Sequence, residues 1–268
     1  MNRILFSKCL VGRASPSSLS SLLAVRRSSS SGVDAEEVGR FSALAADWWK
    51  EEGELKALHS MNAVRVPWIS AALGSGSADL PLAGLELLDV GCGAGLLAEP
   101  LARLGASVVG IDASSDCIKA ARTHAADDAD LQNRLSYQTA SVEDLSDSDR
   151  FDALIASEIV EHVPDQSAFV ASCVQRVKSG GSLFFTTINR TVLSRILAIE
   201  LAEKVLQVVP RGVHDWRKFL PPEELEKMLA LNNCSVRLIS GLYYNPVCNK
   251  WGWLSNRSVN YALHAVKV

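Results

Sequence analysis

Three glycines, Gly91, Gly93 and Gly95, follow a short apolar run that contains Asp89. This run, and the apolar spacing that resumes after Gly95, predict a strand, a tight turn and a helix. Because glycine has no Cβ, the turn can take strained backbone angles and approach a ligand closely at the carboxyl end of the strand. The sequence therefore predicts a ligand site at residues 89–95.

The spacing of the glycines and a second acid narrow the class of ligand. A dinucleotide fingerprint needs G-x-G-x-x-G, whereas this turn reads G-x-G-x-G, which disfavours a nicotinamide dehydrogenase. Asp112 ends the next predicted strand, where a carboxylate can accept hydrogen bonds from both hydroxyls of a ribose. A glycine turn in an unrelated α/β protein is the alternative.

A second group of chemically capable residues, Glu158, Glu161 and His162, follows the strand predicted at 151–156. If this segment is helical, their i, i+3 and i+4 spacing puts all three side chains on one face, where they could share a hard cation such as Mg²⁺. Without a metal, His162 could instead be a general base, or a residue that only orients the acceptor. The spacing leaves these readings open.

Arg65 is the third candidate, because a guanidinium is the side chain best shaped to hold a ligand carboxylate in a bidentate pair. Trp48 and Trp49 precede it in an apolar stripe at helical spacing. Such stripes are usually core, so we expect these tryptophans to pack and to form one wall of the cleft.

Alternating helix and strand patterns surround these residues and predict a doubly wound α/β fold with a mostly parallel sheet. Helical patterns in residues 34–70 precede the sheet as an N-terminal helical cap. Further strands are predicted near 135–139, 151–156, 182–187, 236–242 and 261–266, and helices near 117–126 and 166–177.

Residues 1–33 differ in composition from the rest, with five basic residues, crowded serines and no acid. This composition predicts a mitochondrial transit peptide; a disordered cytosolic tail is the alternative. The six cysteines form no C-x-x-C pair, which favours reduced thiols and disfavours a zinc site. Residues 34–268 are then expected to form one domain.

The formal charge of −3 in 268 residues and the absence of a basic stripe make nucleic acid an unlikely partner. The sequence has no apolar run of 18 residues, so no membrane span is predicted. An amphipathic pattern lies in residues 189–219, between the predicted fifth strand and the last helix. Burial against the core, a partner interface and a lid at a membrane surface remain open for this insertion.

The motif at 89–95 together with Asp112 resembles class I S-adenosylmethionine (SAM) methyltransferases. A wider set of segments is similar to the ubiquinone-biosynthesis O-methyltransferase family in its mitochondrial form, and the similarity covers essentially residues 34–268. Ala94 is a small departure, since relatives often carry glycine there. The segments that carry the resemblance are 41–49 (FSALAADWW), 157–164 (SEIVEHVP), 178–181 (KSGG), 187–190 (TINR), 209–216 (VPRGVHDW) and 241–246 (GLYYNP).

The resemblance implies a class I methyltransferase fold, with a seven-stranded, mostly parallel sheet, and a SAM site and a metal site within it. Glu143 or Asp144, after the third strand, would touch the adenine, although either could be a solvated acid. The implied SAM-binding residues are Arg65, Asp89, Gly91, Gly93, Gly95, Asp112 and Ser157. The implied catalytic and Mg²⁺-binding residues are Glu158, Glu161 and His162.

The implied reaction is O-methylation of polyprenyl catechols, 3,4-dihydroxy-5-polyprenylbenzoate and demethylubiquinol, in ubiquinone biosynthesis. The resemblance also implies peripheral association with the matrix side of the mitochondrial inner membrane, membership of a biosynthetic protein complex, and a lid role for the insertion. A nucleotide-binding scaffold that only holds such a complex together is the rival from another functional class. The acids Asp89 and Asp112 and the Glu/His group speak against that rival.

Overall fold

The centre of the fold is a mixed β-sheet with strand order β3-β2-β1-β4-β5-β8-β6-β7. The structure is a computed structural model that describes residues 33–74, 76–195 and 215–268. The strands are β1 (Glu86–Val90), β2 (Ser107–Asp112), β3 (Leu135–Thr139), β4 (Phe151–Ser157), β5 (Val177–Ile188), β6 (Cys234–Asn245), β7 (Lys250–Leu254) and β8 (Asn260–Lys267).

Strands β1 to β5 are parallel, and β1 lies between β2 and β4. The strand order therefore reverses beside β1, and the carboxyl ends of β1 and β4 border the crevice where ligands bind in open α/β sheets. Strands β8, β6 and β7 continue the sheet in antiparallel orientation. The described residues thus form eight strands instead of the predicted seven, because the short edge strand β7, which contains Gly252, pairs with an extended β6.

Helices cover both faces of the sheet. They are α1 (Ala35–Leu44), α2 (Lys56–Leu73), α3 (Ala98–Arg103), α4 (Ser115–Ala125), α5 (Ala129–Gln132), α6 (Gln166–Gln175), α7 (Val192–Ser194) and α8 (Pro222–Leu231). Leu88 and Val90 of β1 belong to the core cluster that includes α6 and α8, whereas Leu87 belongs to the cluster with α3 and α4. This period-two alternation is what a sheet buried on both sides requires.

The N-terminal cap consists of α1, a 3-10 turn at Ala45–Asp47 and α2. It packs on the glycine turn through an apolar cluster that contains Trp48 and Ala94. The Trp49 indole N–H donates to the Ala94 carbonyl over 3.1 Å, and the Ser42 and Ser114 hydroxyls are 2.7 Å apart. The helical cap predicted from the sequence is therefore confirmed, and it covers the carboxyl edge of the sheet.

The elements predicted around the glycine turn are confirmed with small shifts of boundary. Ser114 is the N-cap of α4, and its hydroxyl accepts from the Cys117 amide. Cys92, Cys117, Cys173, Cys234 and Cys248 are free thiols. None of the helices among the described residues combines the length and the hydrophobicity that a membrane span requires.

Two predicted segments lie mostly outside the described residues. The transit peptide at residues 1–33 reaches the described chain only at Val33. The insertion at 189–219 lies outside it at 196–214, and α7 is the part of the predicted amphipathic helix that is described.

Candidate active site

The glycine turn after β1 needs residues without a Cβ. Gly91 and Gly93 have φ values of 69° and 54°, in the left-handed region. A Cβ on Gly93 would lie 2.2 Å from the Trp48 ring, and one on Gly91 would lie 2.7 Å from the Ile159 side chain. The turn is therefore packed against the N-terminal cap on one side and the segment after β4 on the other.

Asp112, at the end of β2, is fixed by the same turn. One carboxylate oxygen accepts from the Gly93 amide over 2.9 Å and the other accepts from the Ser114 amide over 2.8 Å. Burial raises the pKa of Asp112, although both hydrogen bonds favour the charged form. Each oxygen keeps a second lone pair, so the carboxylate can still accept from a pair of ligand hydroxyls.

Arg65 lies on α2 and is almost fully buried, at 4% exposure. Its guanidinium donates to the Ser157 hydroxyl over 2.8 Å and to Asn62 over 2.7 Å, and its Nε has no hydrogen-bond partner. Ser157 is in turn 2.6 Å from the Thr186 hydroxyl. This chain of bonds joins α2 to the ends of β4 and β5.

Asp89 is 2% exposed, and its Oδ2 has no hydrogen-bond partner. Burial raises the pKa of Asp89 to about 7; the charge of Arg65 opposes this shift and the charge of Asp112 adds to it. A buried carboxylate oxygen that lacks a donor is costly, and a cationic ligand group would satisfy it.

These residues line two adjoining clefts at the carboxyl edge of the sheet. The first contains Arg65, Asp89 and Ser157, and the second contains Ser141 and Glu143. The two clefts share four lining residues, Phe41, Gly91, Asp112 and Ile159. One elongated ligand could therefore occupy both clefts and contact Asp112 between them.

The lining of the second cleft shows which of the two acids, Glu143 or Asp144, lies at the predicted adenine site. Ala140, Val142 and Glu143 line it. Asp144 instead forms a capping box, in which its carboxylate accepts from both the amide and the hydroxyl of Ser141. Glu143 is therefore the acid at the cleft, and Asp144 has a structural role.

The segment after β4 departs from the helical arrangement considered for it. Glu158 has a φ of 55°, and only Val160–His162 form a 3-10 turn, so the three predicted ligands do not share a helical face. Glu158 Oε1 is buried without a partner, and burial, together with the charge of Glu161, raises the pKa of Glu158 to about 7. Glu161 accepts from the Thr187 hydroxyl over 2.8 Å, while its Oε1 is also unpartnered.

His162 lies beside the second cleft, where its Nδ1 is 3.2 Å from a carboxylate oxygen of Glu37. Burial alone would lower the pKa of His162, but the Glu37 hydrogen bond and the charges of Glu161, Glu37 and Glu158 outweigh it and raise the pKa. Sequence reasoning missed Glu37, since an acid in the first turn of a helix is ordinarily a solvated dipole partner.

Among the described residues, no three His, Cys, Asp or Glu side chains are grouped so that they could hold one metal ion. The predicted Mg²⁺ site is therefore not formed as a triad. The donor chemistry of Glu158 and Glu161 does fit a hard cation, because each presents a buried carboxylate oxygen that lacks a donor.

Most of the predicted SAM-binding residues line the first cleft: Arg65, Asp89, Gly91, Gly93, Asp112 and Ser157. Gly95 lies behind the turn, where an added Cβ would meet the Tyr137 hydroxyl at 2.1 Å. Glu158 lines the first cleft and His162 the second.

The strand order reverses beside β1, where the glycine turn, Asp112 and Arg65 line one cleft. This is the arrangement of a class I SAM-dependent methyltransferase. A family model described as a methyltransferase domain matches residues 58–239. The mitochondrial ubiquinone biosynthesis O-methyltransferase of Rattus norvegicus is 48% identical over 246 residues, which cover 90% of this chain and 71% of that protein. The chain therefore belongs to the ubiquinone biosynthesis O-methyltransferase family.

Other relatives and solved structures agree. The mitochondrial enzyme of Homo sapiens is 47% identical, with 88% of this chain and 65% of that protein covered. The enzyme of Mesorhizobium japonicum is 46% identical, with 88% and 96% covered. The crystal structure of magnesium protoporphyrin IX methyltransferase from Synechocystis PCC 6803 with bound SAH has a TM-score of 0.62 at 22% identity, covers 86% of this chain and 97% of that one, and supports the fold.

We predict that Asp112→Ala weakens SAM binding by about 1–3 kcal/mol, because two ribose hydroxyls would lose a charged acceptor. Titration calorimetry measures this loss, and Asp116→Ala, an exposed acid on the first turn of α4, is the matched control. Unchanged SAM affinity in a folded Asp112→Ala protein would contradict the ribose assignment.

We also predict that the affinity for S-adenosylhomocysteine rises from pH 5.5 to 7, by up to about tenfold per pH unit. The raised pKa means that free Asp89 is protonated below pH 7, so binding of the ligand's ammonium must release that proton. Calorimetry in buffers of different ionisation enthalpy counts the protons released. Asp89→Asn should remove the slope; a slope that persists in this variant, but not in Glu158→Gln, would assign it to Glu158.

Proposed function

We propose that this enzyme methylates catechol hydroxyls of polyprenylated ubiquinone precursors, 3,4-dihydroxy-5-polyprenylbenzoate and demethylubiquinol, with SAM as the methyl donor. The observation that carries the proposal is the pair of clefts joined at Asp112 and Gly91. A nucleoside in one cleft and an amino-acid tail in the other is the outline of SAM. The names of the relatives supply the substrate class.

The proposed pose follows the charges of the site. The SAM carboxylate lies at Arg65, whose Nε lacks a partner, and the SAM ammonium lies at Asp89, whose Oδ2 lacks one. The ribose hydroxyls reach Asp112, and the adenine lies in the second cleft near Val142 and Glu143. Oppositely charged ends of the ligand then match oppositely charged buried groups, which fixes the direction in which SAM binds.

The methyl acceptor must lie beyond the sulfonium, next to the segment after β4. A phenol has a pKa of about 10, so the enzyme must help the acceptor lose its proton near neutral pH. Glu158 and Glu161 are buried carboxylates at this edge, and in the absence of a metal His162 can take a proton from the acceptor as a general base. The remaining task of the protein is to align the oxygen with the sulfonium methyl group.

The proposal also includes a Mg²⁺ ion at the acceptor side of the site. Glu158 and Glu161 would hold Mg²⁺ through their two unpartnered carboxylate oxygens, and His162, which the described arrangement does not group with them, is the third ligand that the resemblance implies. Such an ion, when bound, would lower the pKa of a catechol that contacts it.

The cellular setting is likewise proposed from the relatives and the sequence. Relatives from Rattus norvegicus and Homo sapiens carry the word mitochondrial in their names, which agrees with a transit peptide in residues 1–33. This chain spans 65% of the human relative. We propose peripheral association with the matrix face of the inner membrane through the insertion at 189–219, and contact with other proteins of ubiquinone synthesis.

The direct test of the function is transfer of tritium from methyl-labelled SAM to a short-chain prenyl catechol. We expect labelled methyl ether from the catechol and none from the matched compound in which both hydroxyls are already methylated. SAM binding without transfer to any catechol would contradict the enzymatic proposal and favour the scaffold.

The metal proposal has its own test. Chelation with EDTA should abolish turnover while SAM affinity and the melting temperature change little, because the metal would act on the acceptor and not on the fold. Glu158→Gln and Glu161→Gln should behave alike, with activity partly recovered at higher pH as the phenol ionises unaided. Full activity of rigorously metal-free enzyme would contradict the metal and leave His162 as the base.

A further inference from the structure

We infer that Glu37 is a positioning residue for His162, so that helix α1 is part of the catalytic apparatus and not only a cover. This inference rests on the proposed role of His162 in methyl transfer. It concerns a residue that neither the sequence motifs nor the glycine turn point to.

The burial of Glu37 needs an explanation. The side chain of Glu37 is 11% exposed although it lies in the first turn of α1, whereas that of its neighbour Glu36 is 78% exposed. A buried carboxylate is costly unless donors reach it. The His162 ring nitrogen reaches Glu37 at hydrogen-bond distance, 3.2 Å, while Arg40 and Lys218 are ion-pair partners at 3.6 and 3.7 Å.

A second residue of α1 also contacts the imidazole. Phe41 lies one helical turn after Glu37, on the same face of α1, and meets the His162 ring edge to face with centroids 5.3 Å apart and planes at 87°. The aromatic contact restrains the plane of the ring, and the carboxylate at Nδ1 restrains its rotation and its tautomer. Two contacts from one helix therefore restrain the orientation of one side chain.

Helix α1 also has anchors that do not involve His162. Asp34 pairs with Lys218 at 3.0 Å, and Ser42 meets the Ser114 hydroxyl at 2.7 Å, so the helix has an anchor near each end. His162 ends a three-residue 3-10 turn, and so short a turn gives the imidazole little support of its own. Glu37 supplies that support from an element distant in sequence.

The first experiment compares Glu37→Ala, Glu37→Gln and the control Glu36→Ala in the full chain. We expect kcat of Glu37→Ala to fall about 10–100-fold, as is usual when the outer partner of a functional histidine is lost. The KM for SAM should stay within about threefold of wild type, because Glu37 lines the second cleft but the proposed pose places no group of SAM on it. Glu37→Gln should recover part of kcat, since its amide oxygen accepts from Nδ1–H, and Glu36→Ala should match wild type.

The second experiment separates positioning from simple docking of the helix. In a double-mutant cycle, Glu37→Ala should cost kcat nothing further in a His162→Ala background. Nitrogen chemical shifts of the His162 ring should also change in Glu37→Ala, which reports its tautomer without any turnover.

Three outcomes would overturn the inference: equal kcat losses in both backgrounds of the cycle, a kcat of Glu37→Ala equal to that of Glu36→Ala, or unchanged ring shifts. If Glu37→Ala does not fold, the kcat and ring shifts of Glu37→Gln decide the matter. Failure of wild-type enzyme to methylate any catechol would instead count against the proposed function.

Discussion

The cost of burying charge governs the architecture of this site. Asp89, Arg65, Glu158 and Glu161 meet at the carboxyl edge of the sheet, each with an atom that has no hydrogen-bond partner. Taking these groups out of water is costly, and the N-terminal cap that packs on the glycine turn contributes to their burial. The same burial strengthens every electrostatic contact with a charged ligand, because the surrounding dielectric is low. A ligand that carries both signs of charge would offer a partner to each of these groups.

The sequence predicted site residues correctly where they lie at strand ends or in the glycine turn. Asp89 and Asp112 were found because strand ends in a doubly wound sheet converge, and glycines mark the turn between them. The seven-strand expectation was wrong by one, since β7 is short and its pattern of alternating tryptophans around Gly252 resembles a loop as much as a strand. The helical spacing considered for Glu158, Glu161 and His162 does not occur, because Glu158 takes a left-handed conformation that only the surrounding packing could impose.

Contacts between distant segments were beyond the reach of sequence patterns. Glu37 and His162 are separated by 125 positions. The local pattern of Glu37 with Arg40 three residues later is equally typical of a solvated helix start, so it does not indicate a buried contact. Likewise, the choice between Glu143 and Asp144 depended on which carboxylate Ser141 would engage in a capping box. Both cases are decided by tertiary packing, which local propensity does not encode.

The position of β8 has a consequence for how the chain folds. This strand follows β6 and β7 in the sequence, yet lies between β5 and β6 in the sheet. The β6–β7 hairpin therefore cannot join the parallel half until residues 260–267 are in place, so a nascent chain that lacks them carries two incomplete sheet fragments with open edges. Pairings between segments so far apart close slowly, and exposed edges meanwhile invite wrong partners. Joining the two fragments therefore requires the insertion of a central strand between them.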